Sequence, residues 1–213
     1  MNLDSTTDLQ RTRKRLLWLV LIINLLMGAG YTWLDLLQPP EYITAILAFL
    51  PGVVSLLALR AWQCSTGLNE TYLQYRPLSL WGFLALLAAT ILMLPILAAN
   101  TGFIGWQWLP ALVYAPASGI AQELYFRASL LPALEKWVGK KPLALVLHGL
   151  VFIVFHLRTF IAIGLQPIAL VVVVVLFSAG CVWGWQVQRD RTVVWSILQH
   201  SLFLMFMSMF AFG

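Results

Sequence analysis

The stretch Ala-Gln-Glu-Leu-Tyr-Phe-Arg, residues 121–127, places an amide, a carboxylate and a guanidinium inside the apolar run from Trp106 to Leu134. Glu123 and Arg127 are four residues apart, so on a helix they share a face and can pair. A charge at the centre of a bilayer costs at least ~2.5–3.5 kcal/mol, so these groups need partners or a purpose. Two later apolar runs carry further polar groups: His148 and His156 in one, Gln199 and His200 in the other. Asn24 and Gln186 are weaker cases. A carboxylate and a histidine can hold and deprotonate a water, and a second histidine can donate to a developing oxyanion. That is the chemistry of peptide or ester hydrolysis within a membrane.

Other readings compete. Taken alone, Glu123 and Arg127 read equally well as a structural ion pair, and His148 reads as an interhelical hydrogen-bonding group. A carboxylate, an arginine and two more histidines on three separate runs shift the reading toward a site. Two histidines and a glutamate are also zinc donors. The HExxH pattern is absent, however, and Arg127 beside the set disfavours a cation, so neither a metal nor another cofactor is expected. A proton-coupled transporter predicts inverted repeats and broken helices. No repeat is visible, although Pro110 and Pro116 are placed to break their run.

The elements that must hold these residues follow from composition. The chain has 213 residues, of which 61% are hydrophobic and 10% charged, with a mean hydropathy of +0.87. Soluble domains carry about a quarter charged residues. Apolar runs of about 20 residues recur without period-2 alternation, which predicts transmembrane helices and excludes a β-barrel. Seven spans are expected, at 16–37, 42–60, 78–99, 110–135, 142–158, 167–188 and 192–212: an all-α polytopic bundle, read as one domain over 1–213 with its polar core from about 110 onward. The longest connection is 61–77. The apolar run at 16–37 is too long for a signal-peptide core of about 7–15 residues, so it reads as an uncleaved span.

Charge sets the expected orientation. With the N-terminus inside, eleven basic residues fall in inner segments, and Arg158 alone falls outside. That bias predicts a cytoplasmic N-terminus. It also accounts for the net charge of +5 without nucleic acid. Cys64, in a polar connection, and Cys181, in a span, are not expected to form a disulfide. Most of the ten tryptophans, Trp18, Trp33, Trp62, Trp81, Trp106 and Trp137 among them, fall near span ends as in an interfacial belt; Trp183 and Trp185 fit the same pattern. The valines at 171–175 read as lipid-facing or packed span. At 1.5 Å per residue, Glu123 and His156 each lie about 20 Å from the basic Lys136–Lys141 loop, and His200 lies about 13–14 Å from Arg191. They can meet at mid-membrane or somewhat toward the outer side.

In this order and spacing the residues resemble the CPBP family of CAAX-protease and bacteriocin-processing proteins, also called Abi, which are glutamic-type intramembrane proteases. Its EExxxR motif is matched by Gln122 to Arg127 except at the first position, FxxxH by Phe152 to His156, and HxxxN by His200 except that Leu204 stands for the asparagine. The resemblance covers about residue 110 onward. It implies a metal-independent endopeptidase. Gln122 would occupy the position of the general base, Glu123 and Arg127 a supporting pair, His156 a water-holding role and His200 oxyanion stabilisation. Gln122 cannot accept a proton as a carboxylate does. It therefore implies an inactivated form, an engineered one first and a natural pseudoprotease second; takeover by Glu123 would need rearrangement, because neighbouring helical residues point about 100° apart. The expected substrate is a membrane-anchored protein or peptide, cut near its C-terminal anchor as in sorting-signal processing. Bacteriocin immunity or maturation ranks next and CAAX processing last. The expected location is a bacterial inner membrane, with a non-cleaving binding or immunity protein and a transporter as the alternatives.

Overall fold

The computed structural model describes residues 3–38, 40–66, 72–99, 102–103, 110–164, 166–208 and 210–211. The described chain is helical apart from its connections, the longest being 72–79, and a two-residue antiparallel pairing of Gly102 with Ala211 and Phe103 with Phe210. The helices are α1 (Leu3–Leu36), α2 (Glu41–Leu47), α3 (Phe49–Thr66), α4 (Leu80–Ala99), α5 (Ala115–Glu123), α6 (Leu131–Val138), α7 (Lys141–Phe155), α8 (Leu157–Ile163), α9 (Pro167–Asp190) and α10 (Val194–Met207). Wide π-helical turns at Pro110–Tyr114 and Leu124–Leu130 flank α5 and join it to α6.

Each apolar run appears as helix, with instructive differences at the edges. α1 starts well before residue 16, because Gln10, Arg11, Arg13 and Lys14 are good helix formers and carry the helix out of its apolar stretch. α3 runs on to Thr66, so Cys64 sits on a helix as an exposed free thiol, not in a connection. Part of that connection, 67–71, lies outside the described residues, as does Trp106. Prolines explain the interruptions. A helical proline clashes with the carbonyl four residues back. For Pro51 that carbonyl belongs to Leu47, where α2 stops; for Pro116 and Pro132 it belongs to Leu112 and Ala128, each within a wide turn. Among the described residues, Gln10–Leu36, Tyr42–Thr66 and Pro167–Asp190 are helical stretches long and apolar enough to cross a membrane, while Leu80–Leu94, Lys141–Phe155 and Val194–Met207 are shorter apolar helices.

The basic segments gather at one end of the bundle. There the Trp62 indole donates to the Arg13 carbonyl, Tyr72 to Glu135, and Trp195 to the Arg76 carbonyl. The Arg191 guanidinium lies over the Tyr72 ring at 5.4 Å. α6 ends on Gly139 at φ 68°, a left-handed cap that glycine adopts without strain, and Pro142 opens α7 in the next turn. At the opposite end Arg158 pairs with Asp35 at 3.0 Å. Between the ends, one apolar cluster runs from Leu17 through Leu59, Met93, Phe126, Phe152 and Trp183 to Val193. Outward faces such as Leu26, Ile46, Leu87 and Leu170 are exposed and apolar, as lipid contact requires.

Candidate active site

α5 and α10 bring the first two partners together because a glycine lets them touch. A Cβ on Gly119 would lie 2.9 Å from Ser201 Cα and 3.0 Å from Ser201 N, so no larger residue fits without moving backbone. One turn after Gly119 comes Glu123; beside Ser201 is His200. The close approach gives a hydrogen bond from His200 Nδ1 to Glu123 Oε1 at 2.8 Å, with Glu123 fully buried and His200 3% exposed. The same Oε1 accepts from Arg127 Nη1 at 2.8 Å, one turn along in the wide turn after α5. Glu123 Oε2 makes no hydrogen bond of ordinary geometry among the described residues. π-helical turns of this kind recur at functional sites.

Arg127 is also fully buried. Its Nε and Nη2 have no hydrogen-bond partner among the described residues. Aromatic faces surround it instead: Phe152 at 4.6 Å, Trp183 at 5.2 Å and Phe126 at 5.4 Å from the guanidinium carbon. Such cation–π contacts gain strength when desolvated. Trp183 closes the group, for its ring stacks on His200 at 4.8 Å and 23°. Glu123, His200, Trp183 and Arg127 thus form a closed circuit of contacts.

His156 arrives from α7. It stands at the junction of α7 and α8 with φ −95° and ψ 22°, near the bridge region where active-site residues are often found, and not within an unbroken span. Its Nδ1 lies 2.7 Å from the Phe152 carbonyl, which can only accept, so Nδ1 carries the proton and Nε2 the lone pair. Glu123 fixes His200 in the same tautomer when the ring is neutral. Both histidines line one cavity of about 260 Å³, walled by Met93, Phe152, Trp183, Phe203 and Leu204 among others. Thr159, next to Arg158, lines it too, so the cavity reaches toward the end of the bundle opposite the basic one.

Of the sequence-derived candidates, Glu123, Arg127 and His200 are in direct contact, and His156 joins them through the cavity. Gln122 stands apart: its amide donates to Ser118 Oγ at 3.1 Å, and its Oε1 is buried without a partner among the described residues. Leu204 lines the cavity where the motif would place an asparagine. His148 is fully buried, edge-on to Phe126 at 5.8 Å, and does not line the cavity. Asn24 and Gln186 hold structure: Asn24 joins α1 to Ser129 and Gln186 donates to Asp190. Trp183 corrects the interfacial-belt reading, since it is 1% exposed and part of the site. The sequence did hold a signal. Gly180 and Gly184 mark a face of α9 packed tightly on Phe152 and Leu145, and Trp183 borders that face.

Among the described residues, no cluster of three or more histidine, cysteine, aspartate or glutamate side chains has the arrangement to hold a metal ion. Nothing among curated proteins or solved structures matches the chain. Residues 104–206 match the family model described as type II CAAX prenyl endopeptidase Rce1-like. Over that span the chain carries an Rce1-like domain of the CPBP family.

Proposed function

We propose that the chain is an intramembrane endopeptidase domain acting on membrane-anchored proteins or peptides, and that Gln122 holds it in an inactive or strongly slowed form. Its family consists of intramembrane proteases. The observation that carries the reading is the cavity shared by His156 and His200, with His200 braced by the buried Glu123–Arg127 pair. In an active site of this design, a carboxylate at position 122, turned from Ser118 toward the cavity, takes a proton from water as its oxygen attacks the scissile carbonyl carbon. The Nε2 of His156 holds that water, and protonated His200 donates to the oxyanion. The collapsing intermediate expels the amine, which receives the proton. Glu123 and Arg127 do not touch substrate; they fix the His200 ring. With glutamine at 122 the proton has no carboxylate to go to, and general-base catalysis of this type contributes about 10²–10⁴-fold.

The apolar cavity walls suit a hydrophobic segment. Their position away from the basic end, read with the positive-inside rule, orients the cavity toward the outer side. That favours a translocated substrate held by a C-terminal anchor over a prenylated cytoplasmic tail. On this reading the seven helical runs are membrane spans of one unit in a bacterial inner membrane, and the N-terminus is cytoplasmic. Cysteine placed at 158 is then labelled from outside; labelling only from the cytoplasm overturns the orientation. Cleavage of an anchored reporter by the Gln122→Glu chain, and not by the parent, tests the chemistry.

A further inference from the structure

We propose that Gln199 is a positioning residue for His200, acting through Trp183. The proposal deepens the hydrolytic reading above. Gln199 sits on α10 directly before His200 and uses its side-chain amide in two directions. Its nitrogen donates to the Leu86 carbonyl at 2.6 Å and to Thr90 Oγ1 at 2.7 Å, both on α4. Thr90 closes the triangle by donating to the same Leu86 carbonyl at 3.0 Å. The Gln199 side-chain oxygen accepts from the Trp183 indole at 2.6 Å. A glutamine amide offers two N–H donors and a carbonyl acceptor, and all three features are in use here.

The consequence falls on the histidine. Trp183 is held at its indole nitrogen by Gln199, while its ring lies against His200 on α10 and near Arg127. The indole is thereby fixed in rotation, and the imidazole stacked on it cannot turn about its Glu123 hydrogen bond. The surroundings make the anchor strong. Gln199 and Thr90 line an apolar groove of about 550 Å³ between α4 and α10, with Leu87, Met93, Leu202 and Phe206. Thr90 is exposed, so in a bilayer this groove faces lipid, where an amide has no water to compete for its bonds. Met93, Trp183 and Phe203 are walls of both this groove and the histidine cavity, so the anchor stands one side-chain layer from the chemistry.

The test reads His200 directly. The chain has three histidines, so ring nitrogen resonances in the detergent-solubilised full-length protein can be assigned with His200→Gln and its counterparts. Gln199→Met keeps length and removes the hydrogen bonds. It is expected to move both the His200 ring signals and the Trp183 indole N–H signal. Trp183→Phe removes the same bond from the other side and is expected to move the His200 signals as well. Thr90→Val loosens only the α4 side and should leave His200 in place. In the Gln122→Glu background, Gln199→Met should lower kcat about tenfold or more with little change in KM, as misplacement of a working group does. If Gln122→Glu is itself inert, the hydrolytic reading fails, and the His200 signals still decide the role of Gln199. His200 signals unmoved in both Gln199→Met and Trp183→Phe overturn the proposal; so does a Thr90→Val shift as large as theirs.

Discussion

Glu123 and Asp190 are both buried carboxylates on helices of the same bundle, and they are treated in opposite ways. Asp190, at the end of α9, has each oxygen taken by a neutral donor, Ser79 on one and Gln186 on the other. It borders no cavity described above and ties α9 to the segment entering α4. Glu123 draws Arg127 and His200 onto a single oxygen, leaves the other without an ordinary hydrogen bond, and stands behind a cavity. Buried polar groups normally have their hydrogen-bonding capacity filled. A carboxylate whose capacity is filled by neutral donors fastens helices. One engaged by an arginine and a histidine on the same oxygen orients the ring beside it.

Substitutions at the two carboxylates and their partners test that contrast. The largest effect is expected for Glu123→Gln in the Gln122→Glu background. Loss of the acceptor that fixes His200 should cut cleavage about 10³-fold, equivalent to about 4 kcal/mol in the barrier. Cleavage within a few-fold of the parent would show that Glu123 is as structural as Asp190. Arg127→Met comes next. It leaves Glu123 buried without its charge partner, a change that costs about 3–5 kcal/mol, read as a drop in thermal stability in detergent. Asp190→Asn should cost about 1.5–3 kcal/mol, because one hydrogen bond to a charged acceptor is lost, and should leave cleavage by the Gln122→Glu chain within about twofold. The smallest effect is expected for Arg158→Ala. That pair is exposed, with Arg158 45% accessible, and pairs of this kind contribute about 0–1 kcal/mol.

The contrast also marks what the sequence could and could not reveal. Helical runs were legible because lipid demands long unbroken apolar stretches, and Pro110 and Pro116 mark the break before α5, whereas the second wide turn, facing Pro132, had no reading in the sequence. Glu123 with Arg127 followed from i,i+4 spacing on one helix. The contact with His200 is between distant helices and depends on Gly119, whose role is invisible without the neighbouring backbone. Trp183 was hidden by its type, because tryptophan near a helix end normally marks a membrane surface. Gln122 and Glu123 diverge as the ~100° between neighbouring helical residues requires, but their partners, Ser118 for one and His200 for the other, appear only in the three-dimensional arrangement.

On the function proposed above, this domain holds a hydrolytic site that lacks one carboxylate. The most direct test is cleavage of a C-terminally anchored reporter in cells by the parent chain and by Gln122→Glu, at matched expression. The account predicts cleavage by Gln122→Glu at least a hundredfold faster than by the parent. Equal cleavage by the two chains would contradict it and move the base to another residue, Glu123 first. Absence of cleavage by both, with the reporter bound, would contradict it in favour of a binding protein on the same scaffold.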